Sequence, residues 1–424
     1  MASTRRRVLT PILLTLVVGG SFSRSDPAQA TGFVDDAEVE LSIRNYYHYR
    51  NFLDPVYPQG KAEEWVQAFI LKANSGFTPG PVGFAVDVIG QFGIKLDGGR
   101  GTSGTQLLPP GSPDDVSRLG GALKAQYSDT LLSVGETVLN IPVLRSDLGR
   151  IMLQTYEGAV LKVQEVENLT LHAGQIWATS LRNSIDMEED LSFGGATSDS
   201  FRYVGAEYRF NDERTLVGLW GGAELKDIYR QQFLGLEHEQ PVGDWVFETR
   251  LGVFLGNEDG RARAGARDNK TYSGLVAVGY GGHKFTLGLQ KVTGNSPWMR
   301  VGATDGTSSG GSLANDSLNA SFDNEDERSW GVRYDYNFDA LNIPGLLLTL
   351  RYIQGDNITI RSAGIEDGSE WARELHLSYI LQAGPLEGLN LSWRNSSLRR
   401  SWSNSTTSDF NENRVYLSYP LSLR

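Results

Sequence analysis

The sequence predicts an all-β protein built as one transmembrane antiparallel β-barrel. Three observations lead to this fold class. Apolar and polar residues alternate with a period of two through most of the chain, whereas helical spacing is hardly seen. Residues 1–30 have the composition of an export signal. Tyr, Trp and Phe recur at the ends of the apolar faces, as they do at the two interfaces of membrane barrels.

The composition excludes several classes of site. The chain has 424 residues and no cysteine, which rules out disulfide scaffolds, thiolate zinc sites, iron–sulfur centres and cysteine nucleophiles. Asp and Glu number 51 against 39 Lys and Arg, and the formal charge is −12. Such a chain lacks the concentrated basic face that a polyanion needs, so nucleic acid is not expected as a partner. The 5 His residues follow no metal-ligand spacing, and no metal or other cofactor is expected.

Residues 1–30 are predicted to be a secretory signal peptide. Arg5, Arg6 and Arg7 precede an apolar run over 11–22, and Ala28-Gln29-Ala30 has the small-x-small pattern of a cleavage site. This run is about a dozen residues long, whereas a spanning helix needs about 20, so a membrane anchor is the weaker alternative. The mature chain is expected to start near Thr31 and to carry 35 basic and 50 acidic residues.

The predicted strands follow one another from residue 38 to the end of the chain. Over 38–50, apolar and aromatic positions alternate with polar ones. The same alternation recurs in segments 84–88, 118–127, 329–338, 346–352, 374–381, 389–394 and 414–421. In each segment one parity predicts a lipid-facing side and the other a lumen-facing side.

Periodicity alone leaves two architectures open, because a soluble β-sandwich gives the same alternation. The export signal, the aromatic positions and the connections favour the barrel. Short connections such as Gly281-Gly282 alternate with long ones such as 98–115 and 294–327, as tight periplasmic turns alternate with long outer loops in membrane barrels. Residues 31–424 are therefore predicted to form a single barrel domain, whose closure would leave no unpaired strand edge.

Several segments of the mature chain have a distinctive sequence. They include Arg44-Asn45-Tyr46, Ser75-Gly76-Phe77-Thr78-Pro79-Gly80, Lys95-Leu96-Asp97-Gly98-Gly99-Arg100-Gly101, Pro142-Val143-Leu144-Arg145, Arg328-Ser329-Trp330 and Gln382-Ala383-Gly384. In these segments the chain resembles the OprD-like substrate-specific porins, also called outer-membrane carboxylate channels, of Gram-negative bacteria. The resemblance covers nearly all of the mature chain, and no single motif carries it.

The resemblance implies a barrel of 18 strands in the cell outer membrane, whose third outer loop folds inward and narrows the pore. In this sequence the constricting loop is expected at 137–154, with Arg145, Asp147 and Arg150. Eighteen strands over 394 mature residues leave about 22 residues each, enough for a span of ~10 residues and its connections.

The resemblance also implies a lumen lined by basic residues that passes small carboxylate-bearing solutes, namely organic and aromatic acids and amino acids. An arginine fork binds carboxylates bidentately and stays charged. Residues with lumen-facing parity are the candidates for this basic ladder: Arg44, Lys124, Arg333, Arg351, Arg394 and Arg414. The alternative is that they form routine ion pairs that brace neighbouring strands. The acidic stretches 186–190 and 323–327 are expected in outer loops, apart from the lumen.

One family feature is missing from the sequence. The family often has Gly-Asp-Ser, a bulky pair and Leu-Ala-Asn in an outer loop that supplies an acid to the solute pathway. Here the stretch is Gly310-Gly311-Ser312-Leu313-Ala314-Asn315, with Gly311 in place of the acid and Asp316 in a different register. We therefore hypothesise a preference for simple organic acids over basic amino acids.

The leading prediction is a passive, substrate-selective porin and not an enzyme. Its expected partners are small acids, outer-membrane lipid and the outer-membrane assembly machinery, and it is expected to be a monomer or a weak trimer. The alternatives are an outer-membrane barrel hydrolase and a structural or adhesive barrel without transport. The stretch 306–310 fits Gly-x-Ser-x-Gly, but it lacks the strand and helix of a nucleophile elbow.

Overall fold

The computed structural model describes residues 32–188, 190–211, 216–302, 312–402 and 408–424, with only the backbone at Ser362. The predicted signal peptide, 1–30, lies outside the described residues. Eighteen strands form one sheet, and two short hairpins, β6–β7 and β10–β11, lie in its connections. Among the described residues no helix is long and apolar enough to cross a membrane.

The strands of the wall cover most of the chain. Their bounds are β1 (Glu38–Phe52), β2 (Lys61–Asn74), β3 (Gly83–Gly98), β4 (Asp115–Tyr127), β5 (Thr130–Thr137), β8 (Thr155–Val166), β9 (Leu169–Ser180), β12 (Phe201–Arg209), β13 (Leu216–Leu225), β14 (Tyr229–Val242), β15 (Trp245–Glu258), β16 (Asp268–Tyr280), β17 (His283–Gly294), β18 (Arg328–Asn337), β19 (Leu346–Ile360), β20 (Ile365–Ile380), β21 (Asn390–Arg400) and β22 (Phe410–Ser422). The hairpin strands are β6 (Asn140–Ile141), β7 (Leu144–Arg145), β10 (Leu191–Phe193) and β11 (Ala196–Ser198).

The sheet closes on itself. Each wall strand pairs antiparallel with its neighbours in the chain, and β1 also pairs with β22, so that Tyr46 lies opposite both Val66 and Tyr416. Closure leaves no edge strand, and in hydrocarbon it satisfies every ladder amide and carbonyl within the wall. The predicted barrel and its 18 strands are confirmed.

The two ends of the barrel differ. The start of β1, the end of β22 and most of the short connections lie at one end, here called the turn end, where the amide of Val39 donates to the carbonyl of Arg424. The long connections 99–114, 138–154, 181–200 and 295–327 lie at the opposite end, here called the loop end. This is the asymmetry that the spacing of short and long connections predicted.

The two faces of the wall follow the predicted parity. On β4, Leu119 and Leu123 are 77% and 66% exposed and face outward. Arg118, on the same strand with the opposite parity, is 8% exposed and faces inward. Exposed apolar side chains on a closed barrel are lipid contacts, so the outward face is a hydrocarbon surface. Aromatic pairs mark both ends of that surface, with Trp245 against Tyr280 near the turns and Trp330 against Tyr352 nearer the loops.

Candidate functional site

The loop 138–154 crosses the lumen. At one side Ile151 and Met152 are buried against Leu107 and Val66. At the other side Leu139, Val143 and Leu144 belong to an apolar cluster with the inward-facing Phe201, Tyr203 and Phe233. Because both flanks of the loop are anchored in apolar contacts, it is held across the pore rather than above it. The predicted inward-folded loop is confirmed.

The charged residues of this loop differ in their surroundings. Arg150 is 5% exposed and donates to the carbonyl of Thr105 (3.3 Å), while Arg44 of β1 donates to the carbonyl of Arg150 (3.2 Å). Burial opposes ionisation of Asp147, yet the nearby Arg182 and Arg150 hold the pKa of this carboxyl below its usual value. Asp147 and Arg150 therefore fix the loop in place, whereas Arg145 lines an open cavity.

A second segment, 312–322, also lies inside the barrel. Arg351 donates to the carbonyls of Asp316 (2.5 Å) and Ala314 (3.0 Å), and Arg414 donates to that of Leu318 (3.1 Å). At its two flanks Leu313 and Phe322 are buried in separate apolar clusters of the lumen. This stretch was predicted in an outer loop, and its packing inside the barrel was not predictable because a segment without periodicity carries no signal of where it packs.

Two adjoining cavities lie between these loops and the wall. One of about 390 Å³ is lined by Arg145, Glu207, Glu237 and Arg250. The other, about 230 Å³, is lined by Lys284, Asp316, Arg333, Asp335 and Arg351. Both are lined by Arg250 and Ala314, so polar space continues from the constricting loop toward the turn end.

Four of the six predicted ladder residues form two cross-strand pairs. Arg333 of β18 lies directly opposite Arg351 of β19, and Arg394 of β21 lies directly opposite Arg414 of β22, all with inward parity. Like charges at directly opposed positions destabilise a sheet. Strand bracing by opposite charges accounts for part of this set, because Arg351 also lies directly opposite Glu374 of β20.

The six predicted ladder residues differ in whether a carboxylate lies within ion-pair distance. Lys124 pairs with Asp87, Arg333 with Asp335 (2.7 Å), and Arg414 with Glu412 (2.6 Å). Arg351 has Glu374 at 3.9 Å. Arg44 and Arg394 form no ion pair within the described part of the chain, and Arg394 instead donates to the hydroxyl of Tyr416 (3.0 Å) and lies over its ring.

Arg250 lines the lumen but was not among the predicted ladder residues. It faces inward on β15 directly opposite Glu237 of β14, yet neither residue forms an ion pair with any described residue. The inward direction of Arg250 is predictable from the sequence. Trp245, Phe247 and Leu251 alternate with polar residues, and this alternation gives Arg250 lumen-facing parity.

The acidic stretch 323–327 corrects another expectation. It belongs to a loop, as predicted, but Glu325 and Glu327 are buried rather than held apart from the interior. The side chain of Asn324 donates to Glu327 (2.7 Å) and to Glu370 of β20 (3.1 Å). Burial, together with the adjacent Glu370, raises the pKa of Glu327 to about 9. In the described residues, no group of three or more His, Asp and Glu residues is placed to hold a metal ion.

The raised pKa of Glu327 should make the free energy of unfolding of the protein depend on pH. The pKa of Glu327 rises from 4.5 to about 9 on folding, so the folded protein holds a proton that the unfolded chain releases. Stability should be full below the unfolded pKa and fall as pH rises toward the folded one, by at most ~1.4 kcal/mol per pH unit for one proton. The urea midpoint of the micelle-refolded protein at pH 5, 7 and 9 measures this fall.

The matched variant for this measurement is Glu327→Gln, which has the same shape and no charge. It should make the urea midpoint less dependent on pH and should exceed the wild type at pH 9. An unchanged slope in E327Q would contradict the assignment of the proton to Glu327.

Comparisons with known proteins agree with this architecture. Residues 31–423 match the family model described as outer membrane porin, OprD family. The porin-like protein GalP of Pseudomonas putida is 47% identical over 423 residues, which cover 98% of this chain and 99% of that protein. A BenF-like porin of Pseudomonas fluorescens has a similar structure, with a TM-score of 0.88 and 52% identity over 92% of this chain and 100% of that one.

A further solved structure is OpdK of Pseudomonas aeruginosa with vanillate. It has a TM-score of 0.85 and 46% identity, covering 92% of this chain and 100% of that one. The family match covers nearly the whole mature length, and the closed barrel of 18 strands agrees with it. This protein belongs to the OprD family of porins, the β-barrel channels for small solutes in the outer membrane of Gram-negative bacteria.

Proposed function

We propose that this porin passes small carboxylate-bearing solutes, above all organic and aromatic acids, by passive diffusion along a row of lumenal arginines. The observation that carries the proposal is the pair of directly opposed, inward-facing arginine pairs, Arg333 with Arg351 and Arg394 with Arg414. Like charges in register repel each other. Asp335, Glu374 and Glu412 compensate part of this charge, and a passing carboxylate would compensate more of it.

The proposed residues divide into two groups. Four arginines hold the inward loops through backbone carbonyls, namely Arg351, Arg414, Arg150 and Arg44, and Lys124 is paired with Asp87. Arg394 has no described carboxylate partner, and Arg145, Arg250 and Arg333 line the open cavities. We infer that the second group exchanges partners with a passing anion, while the first group shapes the passage.

The physical basis is a balance between entry and release. In a narrow lumen the effective dielectric is below that of water, so a cation 4 Å from a carboxylate stabilises it by up to about 4 kcal/mol. Conduction needs several such sites of moderate strength rather than one tight site. The relative OpdK, solved with vanillate, an aromatic carboxylate, supports a substrate of this class.

The preference for organic acids over basic amino acids remains part of the proposal. Gly311, which stands in place of the family's acid, lies outside the described residues. Asp316 lines a cavity, but its carboxylate accepts a hydrogen bond from Ser321 (2.6 Å), and burial raises its pKa. Both features weaken it as a site for a cationic group. Glu237, which has no described partner, is the residue that favours amine-bearing solutes instead.

Single-channel recording of the refolded mature protein in a planar bilayer tests the proposal. We expect a small conductance that favours anions, with benzoate interrupting the chloride current and arginine passing more slowly than benzoate. Faster passage of arginine would overturn the preference and direct attention to Glu237. A folded barrel with no conductance would contradict transport altogether and favour a structural barrel or a barrel hydrolase.

A further inference from the structure

The outward face of the barrel carries its basic residues at one end. Seven of the eight outward-facing Lys and Arg residues on the described strands lie within the four residues nearest the loop end: Lys61, Arg202, Arg230, Lys270, Lys291, Arg328 and Arg399. Arg373 lies near the middle of its strand, and none lies near the turn end. Cations on a membrane surface at the headgroup level attract anionic lipids.

Three of these cations lie together on adjacent strands. Lys291 of β17 is directly opposite Arg328 of β18, and Lys270 of β16 is opposite Thr293, two residues from Lys291. Such diagonal neighbours are roughly 7–8 Å apart. Arg328 pairs with Asp356, and Lys270 has Asp268 at 3.9 Å. Lys291 is exposed and forms no ion pair or hydrogen bond with any described residue.

An apolar groove lies on the outer wall below these cations. The cavity, of about 890 Å³, is lined mainly by outward-facing apolar side chains: Phe247, Val276, Phe285, Leu287, Val332 and Leu350. Leu287 lies opposite Val332 four residues below the Lys291–Arg328 pair on the same two strands. Four strand residues span about 13 Å. The outer wall therefore has a pair of cations near the loop end and a concave apolar groove about 13 Å below it.

We propose that this face binds a phosphate-bearing lipid of the loop-side leaflet, with the phosphate on Lys291 and Arg328 and an acyl chain in the groove. The like-charged pair would be stabilised by a group that accepts from both side chains, and a phosphate has the charge and the oxygen atoms to do so. A second copy of the chain would need an acidic surface to face the pair and a side-chain ridge to fill the groove. The site is on the opposite face of the wall from the lumen, so it is independent of the proposed transport.

Native mass spectrometry of the delipidated, refolded porin tests the proposal. The probes are lipid A carrying its phosphates, the same lipid without phosphate, and phosphatidylcholine. The wild type should retain phosphorylated lipid A at least about tenfold better than the other two, the effect of one charge-assisted contact. The double variant K291S/R328S should remove this preference. The control K61S loses an outward cation at the same end that is paired with Glu63, and it should behave as the wild type.

A second variant separates the groove from the charges. Val332→Trp fills the groove and leaves both cations, so it should weaken the retention of all three lipids while keeping the preference for phosphate. Folding is checked by heat-modifiable migration, and an unchanged single-channel conductance shows that the lumen is intact. Equal retention of phosphorylated and phosphate-free lipid A by the wild type would overturn the proposal. So would an oligomer that is lost in K291S/R328S, because the face would then be a subunit interface.

Discussion

Replacement of Arg394 by Gln is expected to lower the benzoate flux through single barrels about tenfold at low benzoate concentration, and Arg394→Glu should lower it further. Loss of ~1.4 kcal/mol of stabilisation at a barrier lowers a rate about tenfold, and a single cation in a partly dehydrated lumen can supply this much. Arg394 is the ladder residue best suited to the test. Among the described residues its guanidinium bonds only to the hydroxyl of Tyr416, so neutralising it breaks no ion pair and frees no loop in that part of the chain.

The chain offers a matched control on the neighbouring strand. Arg373 of β20 faces outward, and its only described hydrogen bond is to Ser397 (3.2 Å). Arg373→Gln removes the same charge from the opposite face of the wall and should leave the benzoate flux within a factor of two of the wild type. Equal losses in R373Q and R394Q would mean that general charge, and not a lumenal site, controls the flux.

The absence of cysteine allows a reversible form of the same experiment. Arg394→Cys should conduct benzoate as poorly as R394Q. Modification with an aminoethyl methanethiosulfonate restores a positive charge and should recover part of the flux, whereas the sulfonatoethyl reagent should not. Recovery with both reagents would indicate an effect of side-chain volume and would contradict the electrostatic explanation.

Glu412→Ala is expected to cause the largest loss of stability. Glu412 is fully buried and accepts from Arg414 (2.6 Å), Arg50 (2.9 Å) and His48 (3.0 Å). Without it, Arg414 and Arg50 remain in the interior with no carboxylate partner among the described residues, beside Arg394 on the adjacent strand. Breaking a buried ion pair in this way costs about 3–5 kcal/mol. Urea unfolding in detergent micelles, followed by tryptophan fluorescence, measures the change.

Two further variants show whether charge causes this loss. Glu412→Gln keeps the shape and some hydrogen bonds but not the charge, and it should lose most of the same stability. Glu165→Ala removes an exposed carboxylate that accepts from Ser128 and Thr130, and its loss should stay below about 1 kcal/mol. A wild-type midpoint for E412Q would mean that packing, and not charge compensation, sets the cost.

Loosening of the inward loop should accompany the loss of Glu412. Arg414 is held by Glu412 and in turn holds Leu318 and Asn319 of the segment 312–322. If the carboxylate orients Arg414, then E412Q should give a larger and noisier conductance than the wild type even below its unfolding midpoint.

The sequence by itself determined the barrel and the direction in which most strand side chains point. The wall has lipid on one side and water on the other, so the parity of a strand residue determines which of the two its side chain faces. A period of two can be recognised in a single sequence. For this reason the inward positions of Arg333, Arg351, Arg394 and Arg414 were predictable. The same parity assigns Arg250 to the lumen. The family resemblance added the strand number and the inward loop at 137–154.

Tertiary structure decided which of these charges are free and where the irregular segments lie. Arg351 and Arg414 bind carbonyls that lie 35 and 96 residues away along the chain. Glu327 meets Glu370 only when the loop 295–327 packs against β20. Hydrogen bonds to backbone carbonyls do not depend on the partner's residue type, so the sequence holds no record of them. Local alternation therefore specified the wall, whereas contacts between distant segments specified the passage through it.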